Sequence, residues 1–239
     1  MAEVTGKFAL PLVQAAQAQK HVTVNEALLR LEGFAMPILA GRDATQPPAA
    51  PAEGEVWGVG AGAVDAWAGQ DGKLALFVNG GWLFAAPAVG WRAFDAATGS
   101  LLLHDGSDWR ADLVALAPSG AATAARIVEG EHVIAGGGPV ETTTIMLPAG
   151  AVVLGVTGRV RDPITGTTGI TGWRLGVAGS DNRYGQGLSL AAGSWVRGMT
   201  GSPLTYWSDT PLALSAEGGD FTGGRVQLAV HYWQLEVPA

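Results

Sequence analysis

Hydrophobic and polar positions change their period along this chain, and the first period is helical. In residues 1–45, apolar side chains recur at helical spacing and predict a helix from Leu12 to Leu31. Thr23 and Glu26 have the spacing of a capping box inside this stretch, and Gly33 is the predicted stop. The first segment is therefore predicted to be helical, either as a hairpin packed on the next domain or as a docking element.

Residues 46–112 have a different texture, with short apolar runs broken by glycine and proline. Gln46–Pro51 contains three prolines and predicts a stiff, extended connector. One apolar run then recurs at an offset of 27 residues, with turn sequences that predict two similar β-hairpins. The matched positions are Gly72, Leu74, Leu76 and Trp82 in the first copy, and Gly99, Leu101, Leu103 and Trp109 in the second.

Tryptophan is concentrated in this repeat domain. Large indole rings supply buried area to a β unit whose core is otherwise small. Alternatively, one or two of the rings are exposed platforms for the apolar faces of sugars. The sequence leaves both explanations open for Trp57, Trp67, Trp82, Trp91 and Trp109.

The last part of the chain alternates with a period of two. Residues 113–125 are rich in alanine and predict a linker, and residues 126–239 contain seven or eight predicted strands. Trp173 and Trp233 fall in strand patterns and are predicted to be core. The fold class is thus mainly β, with a short N-terminal helical segment, a small Trp-rich β-hairpin domain and a C-terminal antiparallel β-sandwich of jelly-roll type.

Composition narrows the possible functions. The chain has 14 basic and 21 acidic residues and no basic run, which argues against nucleic-acid binding. It has no cysteine, so thiolate chemistry and disulfides are excluded. A mean hydropathy of +0.23 with only 15% charged residues predicts a homo-oligomer, a trimer first and a pentamer second.

The sequence contains neither the pattern of a signal peptide nor an apolar stretch long enough for a membrane-spanning helix. We therefore expect synthesis in the cytoplasm and no membrane insertion.

Catalytic patterns are weak. The four histidines are dispersed without metal-ligand spacing, and no nucleophile elbow precedes a helix. A glycosidase needs two carboxylates, but aspartates in loops more often serve turns. The candidates are Asp162, Asp181, Asp209 and Asp220. We expect no enzyme activity, no metal and no cofactor, and keep polysaccharide hydrolysis as an alternative.

The polar stretch 180–187 is the best candidate for a ligand site. It combines planar rings with groups that donate and accept hydrogen bonds, as a site for sugar hydroxyls requires. The predicted glycan-binding residues are Asp181, Asn182, Arg183, Tyr184, Tyr206 and Trp207. Their three aromatic rings are predicted to be exposed. The alternative is an Asx-turn with a solvated arginine.

Several segments together resemble a known family. They are Leu10–Leu28, Trp67–Gly69, Gly80–Trp82 and Gly90–Arg92. This pattern is similar to an uncharacterised-domain family of tail-fibre and head-spike virion proteins from alphaproteobacterial siphophages and gene transfer agents. The resemblance covers residues 8–113.

The resemblance implies a virion protein, either a head spike or a tail fibre, that forms an oligomeric appendage. It implies binding of host surface polysaccharide by the distal domain, and it supplies no catalytic residues. We further expect the N-terminal helical segment, tethered by the proline-rich connector, to dock to other virion proteins. A purely structural virion connector is a further alternative. The short chain favours a compact spike or a tip close to the baseplate over a long fibre.

Overall fold

The computed structural model describes residues 4–5, 9–13 and 20–238, and only the backbone of residues 20 and 21. The elements are α1 (Lys20–Phe34), β1 (Ile38–Ala44), β2 (Val56–Val59), a 3-10 turn (Asp65–Trp67), β3 (Leu74–Val78), β4 (Gly81–Ala85), β5 (Arg92–Asp95), β6 (Ser100–His104), β7 (Trp109–Ala111), β8 (Leu113–Leu116), β9 (Ala122–Val133), β10 (Val140–Leu147), β11 (Val152–Gly166), β12 (Gly172–Val177), β13 (Ser180–Leu188), β14 (Trp195–Thr205), β15 (Thr210–Glu217) and β16 (Phe221–Glu236). They form two compact units, Met1–Leu113 and Val114–Ala239. The predicted mainly β class is confirmed.

The first unit is a seven-stranded sheet in the order β4-β3-β2-β1-β5-β6-β7. β1 lies in the middle and runs parallel to both of its neighbours, β2 and β5. All other neighbouring strands of this sheet pair antiparallel. The proline-rich stretch Gln46–Pro51 crosses from β1 to β2, as a parallel pair requires.

The internal repeat corresponds to two hairpins, β3-β4 and β6-β7, at the two ends of this sheet. Phe77 faces Trp82 across the first hairpin, and His104 faces Trp109 across the second. In each pair the ring centroids are 5.0 Å apart. These pairs occupy matched positions of the repeat, so the predicted hairpins are confirmed.

The two copies face opposite sides of the sheet. Strands β2 and β5 both run parallel to β1, one on each side of it. The two copies are therefore related by a rotation about the direction of β1, and this rotation exchanges the two faces of the sheet. Ala75 accordingly packs on one side, whereas its matched residue Leu102 packs on the other. Leu74 is fully buried beneath α1, and its counterpart Leu101 is 68% exposed.

Every tryptophan of the repeat domain packs against a hydrophobic cluster. Trp57 and Trp82 lie against the buried Trp67 on one side of the sheet, and Trp91 and Trp109 pack on the other side. The indole rings therefore supply core area, and the alternative of exposed sugar platforms in this domain is wrong.

The helix does not begin or end where the sequence predicted. Thr23 and Glu26 lie inside α1, and the Glu26 carboxylate pairs with Arg30 at 2.8 Å instead of capping the helix. Gly33 lies inside the helix and does not end it, and glycine is present there because a Cβ would collide with the Leu76 side chain. The helix ends just before Met36, whose φ is +55°. The predicted residues 14–19 lie outside the described residues.

Two of the predicted domain boundaries do not coincide with the boundaries of the compact units. The 45/46 boundary directly follows β1, the central strand of the sheet, so the helical segment and the hairpins share one unit. The stretch 113–125, predicted to be a linker, contains β8 and the start of β9 in the five-stranded sheet of the second unit. The backbone of this stretch pairs with neighbouring strands, which the alanine-rich composition did not indicate.

Asp71 provides a test of pH dependence in the first unit. Its carboxylate accepts hydrogen bonds from the amides of Gly62 and Ala63, at 2.8 and 3.1 Å. These bonds lower the pKa of Asp71. The ionised Asp71 carboxylate therefore stabilises the folded state at pH values above the ordinary pKa of aspartate. This stabilisation is lost as the pH falls through the lower pKa that Asp71 has in the folded protein.

We therefore expect Asp71→Asn to show a shallower loss of stability than the wild type between roughly pH 5 and pH 2. The measurement is the urea midpoint, followed by circular dichroism. Superimposable pH curves for the two proteins would contradict the role of the Asp71 carboxylate.

The second unit is a β-sandwich of nine strands. One sheet has the order β10-β15-β12-β13, and the other has the order β14-β11-β16-β9-β8. Their inner faces enclose one core, which includes Trp173, Leu175, Phe221 and Leu228. Trp173 is confirmed as core, whereas Trp233 is 46% exposed because it alternates with the buried Tyr232.

The edge strands β13 and β14 of the two sheets are in close contact. A Cβ at Gly198 of β14 would lie 2.6 Å from the Tyr184 Cβ of β13 and would also collide with the Tyr184 carbonyl oxygen. Only glycine fits this position, so this contact fixes the separation of the two sheets at that edge.

Among the described residues, no helix is both long and apolar enough to span a membrane.

Candidate functional site

The predicted glycan stretch 180–187 is a strand, not a loop. It forms most of β13, at the edge of the four-stranded sheet. Tyr184 points into the sandwich core and is only 2% exposed, so its ring is not available for stacking on a sugar. Burial and a hydrogen bond with Tyr206, at 2.9 Å between hydroxyls, raise the pKa of Tyr184.

Tyr206 and Trp207 follow β14 and differ in exposure. Tyr206 packs partly against the core and shares its hydroxyl with Tyr184. Trp207 is 89% exposed at the tip of the turn. The turn is held by Asp209, whose carboxylate accepts from the Ala149 amide at 2.8 Å. The structure thus joins the two tyrosines in the interior and leaves Trp207 as a free ring.

The other three predicted residues are not buried in the core. Asp181 pairs with Arg174 at 2.8 Å, and Arg174 also pairs with Glu217 at 2.9 Å. This arginine lowers the pKa of Glu217. The Asn182 amide donates to Gln186 at 3.1 Å, and Arg183 is exposed beside it. Asp181 therefore stabilises the strand edge, while Asn182 and Arg183 remain accessible.

Three of the four aspartates considered for hydrolysis have structural partners. Asp162 pairs with Arg225 at 2.9 Å, and Asp181 and Asp209 make the contacts described above. Among the residues that the structure describes, no group of three or more His, Cys, Asp or Glu side chains is placed to hold a metal ion.

A second surface, not found from the sequence, lies on the five-stranded sheet. We call it the outer face: the outward side chains of β14, β11, β16 and β9. The strand registers align these side chains in two rows. One row is Trp195, Arg159, Gln227 and Glu131, and the next is Arg197, Thr157, Ala229 and Glu129.

The outer face contains a shallow trough of about 430 Å³. Its floor is low at Ala229, whose side chain is a single methyl group, and Trp195 forms one wall. Trp195 is 65% exposed. The Arg197 guanidinium carbon lies 5.6 Å from the centre of the Trp195 ring, a cation-π distance.

The charges of the trough are divided between its sides. Arg159 and Arg197 lie on β11 and β14, and Glu129 lies on β9 across Ala229. Arg159 donates to the Gly193 carbonyl oxygen at 3.2 Å. Neither arginine pairs with a carboxylate within the described part of the chain. This arrangement offers a stacking ring, two cationic forks and an acceptor.

A sequence signal for this face existed. Val196 and Gly198 are buried in β14, so strict alternation places Trp195, Arg197 and Met199 together on the opposite side. Alternation alone could not show that β11 and β16 add an arginine and a glutamine to the same face.

The helix of the first unit also presents apolar side chains outward. Val24, Ala27 and Leu31 recur at i, i+3 and i+7 and are all exposed. We call these three residues the helix stripe. The opposite side of α1 packs on the core through Leu29 and through Gly33, which lies against Leu76. A helix with apolar residues on both sides is typical of an element that packs on a second surface.

Comparisons with known proteins match this chain in part. A family model described as a protein of unknown function, DUF2793, matches residues 24–110. That range runs from α1 through the strands of the first unit. A search of curated proteins gave no match. A chain described as "Cyanophage Pam1 capsid asymmetric unit" is similar at 24% identity, over 46% of this chain and 84% of that chain, with a TM-score of 0.38.

Proposed function

We propose that this protein is a structural protein of a phage or gene-transfer-agent virion that binds host surface polysaccharide without cleaving it. The observation that carries the proposal is the outer face, where an exposed tryptophan, two arginines and a glutamate line one trough. Planar rings and charged hydrogen-bonding groups together suit a sugar, which has both apolar faces and hydroxyls. The sequence resemblance to tail-fibre and head-spike proteins supports the virion context.

The helix stripe is the proposed contact to other virion proteins. Leu31 is 58% exposed and Val24 is 42% exposed, and an apolar contact made by these side chains would be stabilised by burial against a partner. We also propose a homo-oligomer, trimer or pentamer, because several weak saccharide sites on one appendage bind with avidity. Head spike and tail fibre are both compatible with this proposal.

The structure changes how the docking role must be tested. Deleting the predicted helical segment through Ala40 would also remove three of the seven residues of β1, the central strand. Such a deletion is expected to unfold the first unit. Substitutions on the exposed side of α1 are the appropriate alternative.

We expect Leu31→Gln to lower incorporation into particles by about tenfold, since it removes the largest side chain of the helix stripe. The matched control is Thr23→Gln on the polar side of the same helix, which should incorporate normally. Purified particles are analysed by quantitative mass spectrometry, and each variant by its melting temperature. Equal incorporation of the two variants would contradict docking through the helix stripe.

The same particles test the function as a whole. Absence of the wild-type chain from purified particles would overturn the virion role. A chain that is present in particles but does not bind polysaccharide extracted from host cells would instead favour the connector alternative. Release of reducing sugar ends from that polysaccharide would favour the hydrolase alternative.

A further inference from the structure

The distribution of charged side chains on the outer face indicates which kind of polysaccharide it would bind. Formal charge on the whole chain is −7, yet the trough has two arginines without a carboxylate partner among the described residues. Arg126 and Arg225, on the same sheet, are instead paired with Glu236 and Asp162. Two neighbouring arginines that lack such a partner within the described chain and line one trough leave an anionic ligand as the group that would neutralise both.

The spacing of the two arginines suits one carboxylate on one sugar ring. Arg159 is directly opposite Trp195, and Arg197 is directly opposite Thr157 in the same strand pair. Their backbones are therefore diagonal neighbours, roughly 7 to 8 Å apart. Guanidinium groups bind carboxylates through two parallel hydrogen bonds, so the two side chains can hold one carboxylate from two directions.

Trp195 supplies the complementary apolar contact. Arg197 lies over its ring, and the ring remains 65% exposed. The guanidinium is attracted to the electron-rich indole face, which orders Arg197 before any ligand arrives. A pre-ordered side chain loses less conformational entropy on binding than a free one.

The far side of the trough fixes the orientation of the ligand. Glu129 repels a carboxylate but accepts hydrogen bonds from hydroxyls, and Gln227 both donates and accepts. Glu129 lines the trough across Thr157 and Ala229 from Arg197, whereas Gln227 lies directly beside Arg159 on the neighbouring strand. The volume of about 430 Å³ lies within the range of small-molecule sites.

We propose that the outer face binds a carboxylate-bearing saccharide, with the carboxylate at Arg159 and Arg197, a sugar face on Trp195 and hydroxyls toward Glu129 and Gln227. This proposal rests on the proposed function and narrows its ligand to acidic sugars, such as uronic or sialic acids. It also moves the binding site from the predicted residues of β13 to the opposite sheet.

The test uses the full chain and a panel of uronate-type and sialate-type oligosaccharides. Each acidic member is compared with its carboxyl-reduced neutral counterpart by isothermal calorimetry and tryptophan fluorescence. We expect at least one acidic member to bind about tenfold more tightly than its counterpart. Added salt should remove this preference, because exposed charges are screened.

Matched variants locate the site. Trp195→Ala, Arg197→Gln and Arg159→Gln should each weaken acidic binding by about tenfold. The controls are Trp207→Ala and Arg183→Gln, which alter an exposed ring and an exposed arginine elsewhere and should leave the affinity within about twofold. Melting temperatures should stay unchanged in all five, because none of these side chains is buried.

The possible results distinguish a failure of this inference from a failure of the proposed function. No preference for any acidic member, or loss of binding in the controls instead of the outer-face variants, overturns the inference while host polysaccharide binding can stand. Dissociation of an oligomer by Trp195→Ala or Arg197→Gln in light scattering assigns the face to a second copy of this chain and also overturns it. Absence of binding to host polysaccharide overturns the proposed function itself.

Discussion

Gly198→Ala is expected to destabilise the second unit by about 3 kcal/mol. The new methyl group would collide with the backbone and Cβ of Tyr184, in the contact between β14 and β13. Backbone atoms in paired strands cannot move aside without breaking their hydrogen bonds, so the sheets must separate locally. The melting temperature of the unit should fall by roughly 10 °C.

Gly201→Ala is the matched control on the same strand. A Cβ there meets nothing within 4 Å, and its φ is not in the left-handed region. We expect the control to melt within a few degrees of the wild type in differential scanning calorimetry. Similar losses in both variants would show that β14 tolerates no side chain for a reason other than its contact with Tyr184.

Trp67→Ala is expected to destabilise the first unit by about 4 kcal/mol. Trp67 is fully buried, and its ring centroid lies 5.1 Å from that of Trp82 and 6.2 Å from that of Trp57. Removing the central ring leaves a cavity between two indoles that the sheet cannot close. Chemical denaturation measures the loss of free energy.

Trp67→Phe separates the two contributions of the indole. The Nε1 hydrogen of Trp67 has no acceptor among the described residues, and a buried unpaired donor is costly. Phenylalanine removes this donor and leaves a smaller cavity, so we expect a loss of only about 1 to 2 kcal/mol. A loss equal to that of Trp67→Ala would show that the indole nitrogen does have a partner.

The repeated hairpins and the sandwich could be predicted because their signals are local. Leu228 and Val230 follow the alternation that gives one strand a buried side, and Gly80 provides the left-handed turn of the first hairpin with a φ of +71°. Trp233 shows how the same rule was misapplied. Leu228, Val230 and Tyr232 occupy alternate positions that face the core, and Trp233 is one residue out of step with them. The alternation therefore places Trp233 on the outer side of the strand, although its ring is hydrophobic.

The burial of Tyr184 and the composition of the outer face could not be predicted, because both depend on contacts between strands that are distant in the sequence. Tyr184 is a single inward residue on an edge strand of polar and glycine residues, so no periodicity announced its burial. The site on the outer face needs the registers of four strands to bring Trp195, Arg159 and Glu129 onto one surface. Register between distant strands follows from tertiary packing, which a local pattern cannot specify.

The central position of β1 has a consequence for synthesis on the ribosome. β1 pairs with β2 and with β5, so Leu39 lies opposite both Val56 and Asp95. At roughly 5 to 20 residues per second, the ribosome needs about 3 to 11 s to make the chain from Leu39 to Asp95. During that interval one edge of β1 is unpaired. Arg42 and Asp43 are charged residues within the strand, and such residues discourage aggregation of an open edge. When β5 has been synthesised and pairs with β1, Arg42 forms an ion pair with the buried Asp95 at 3.3 Å. The same arginine therefore protects the open edge of β1 first and stabilises the pairing of β1 with β5 afterwards.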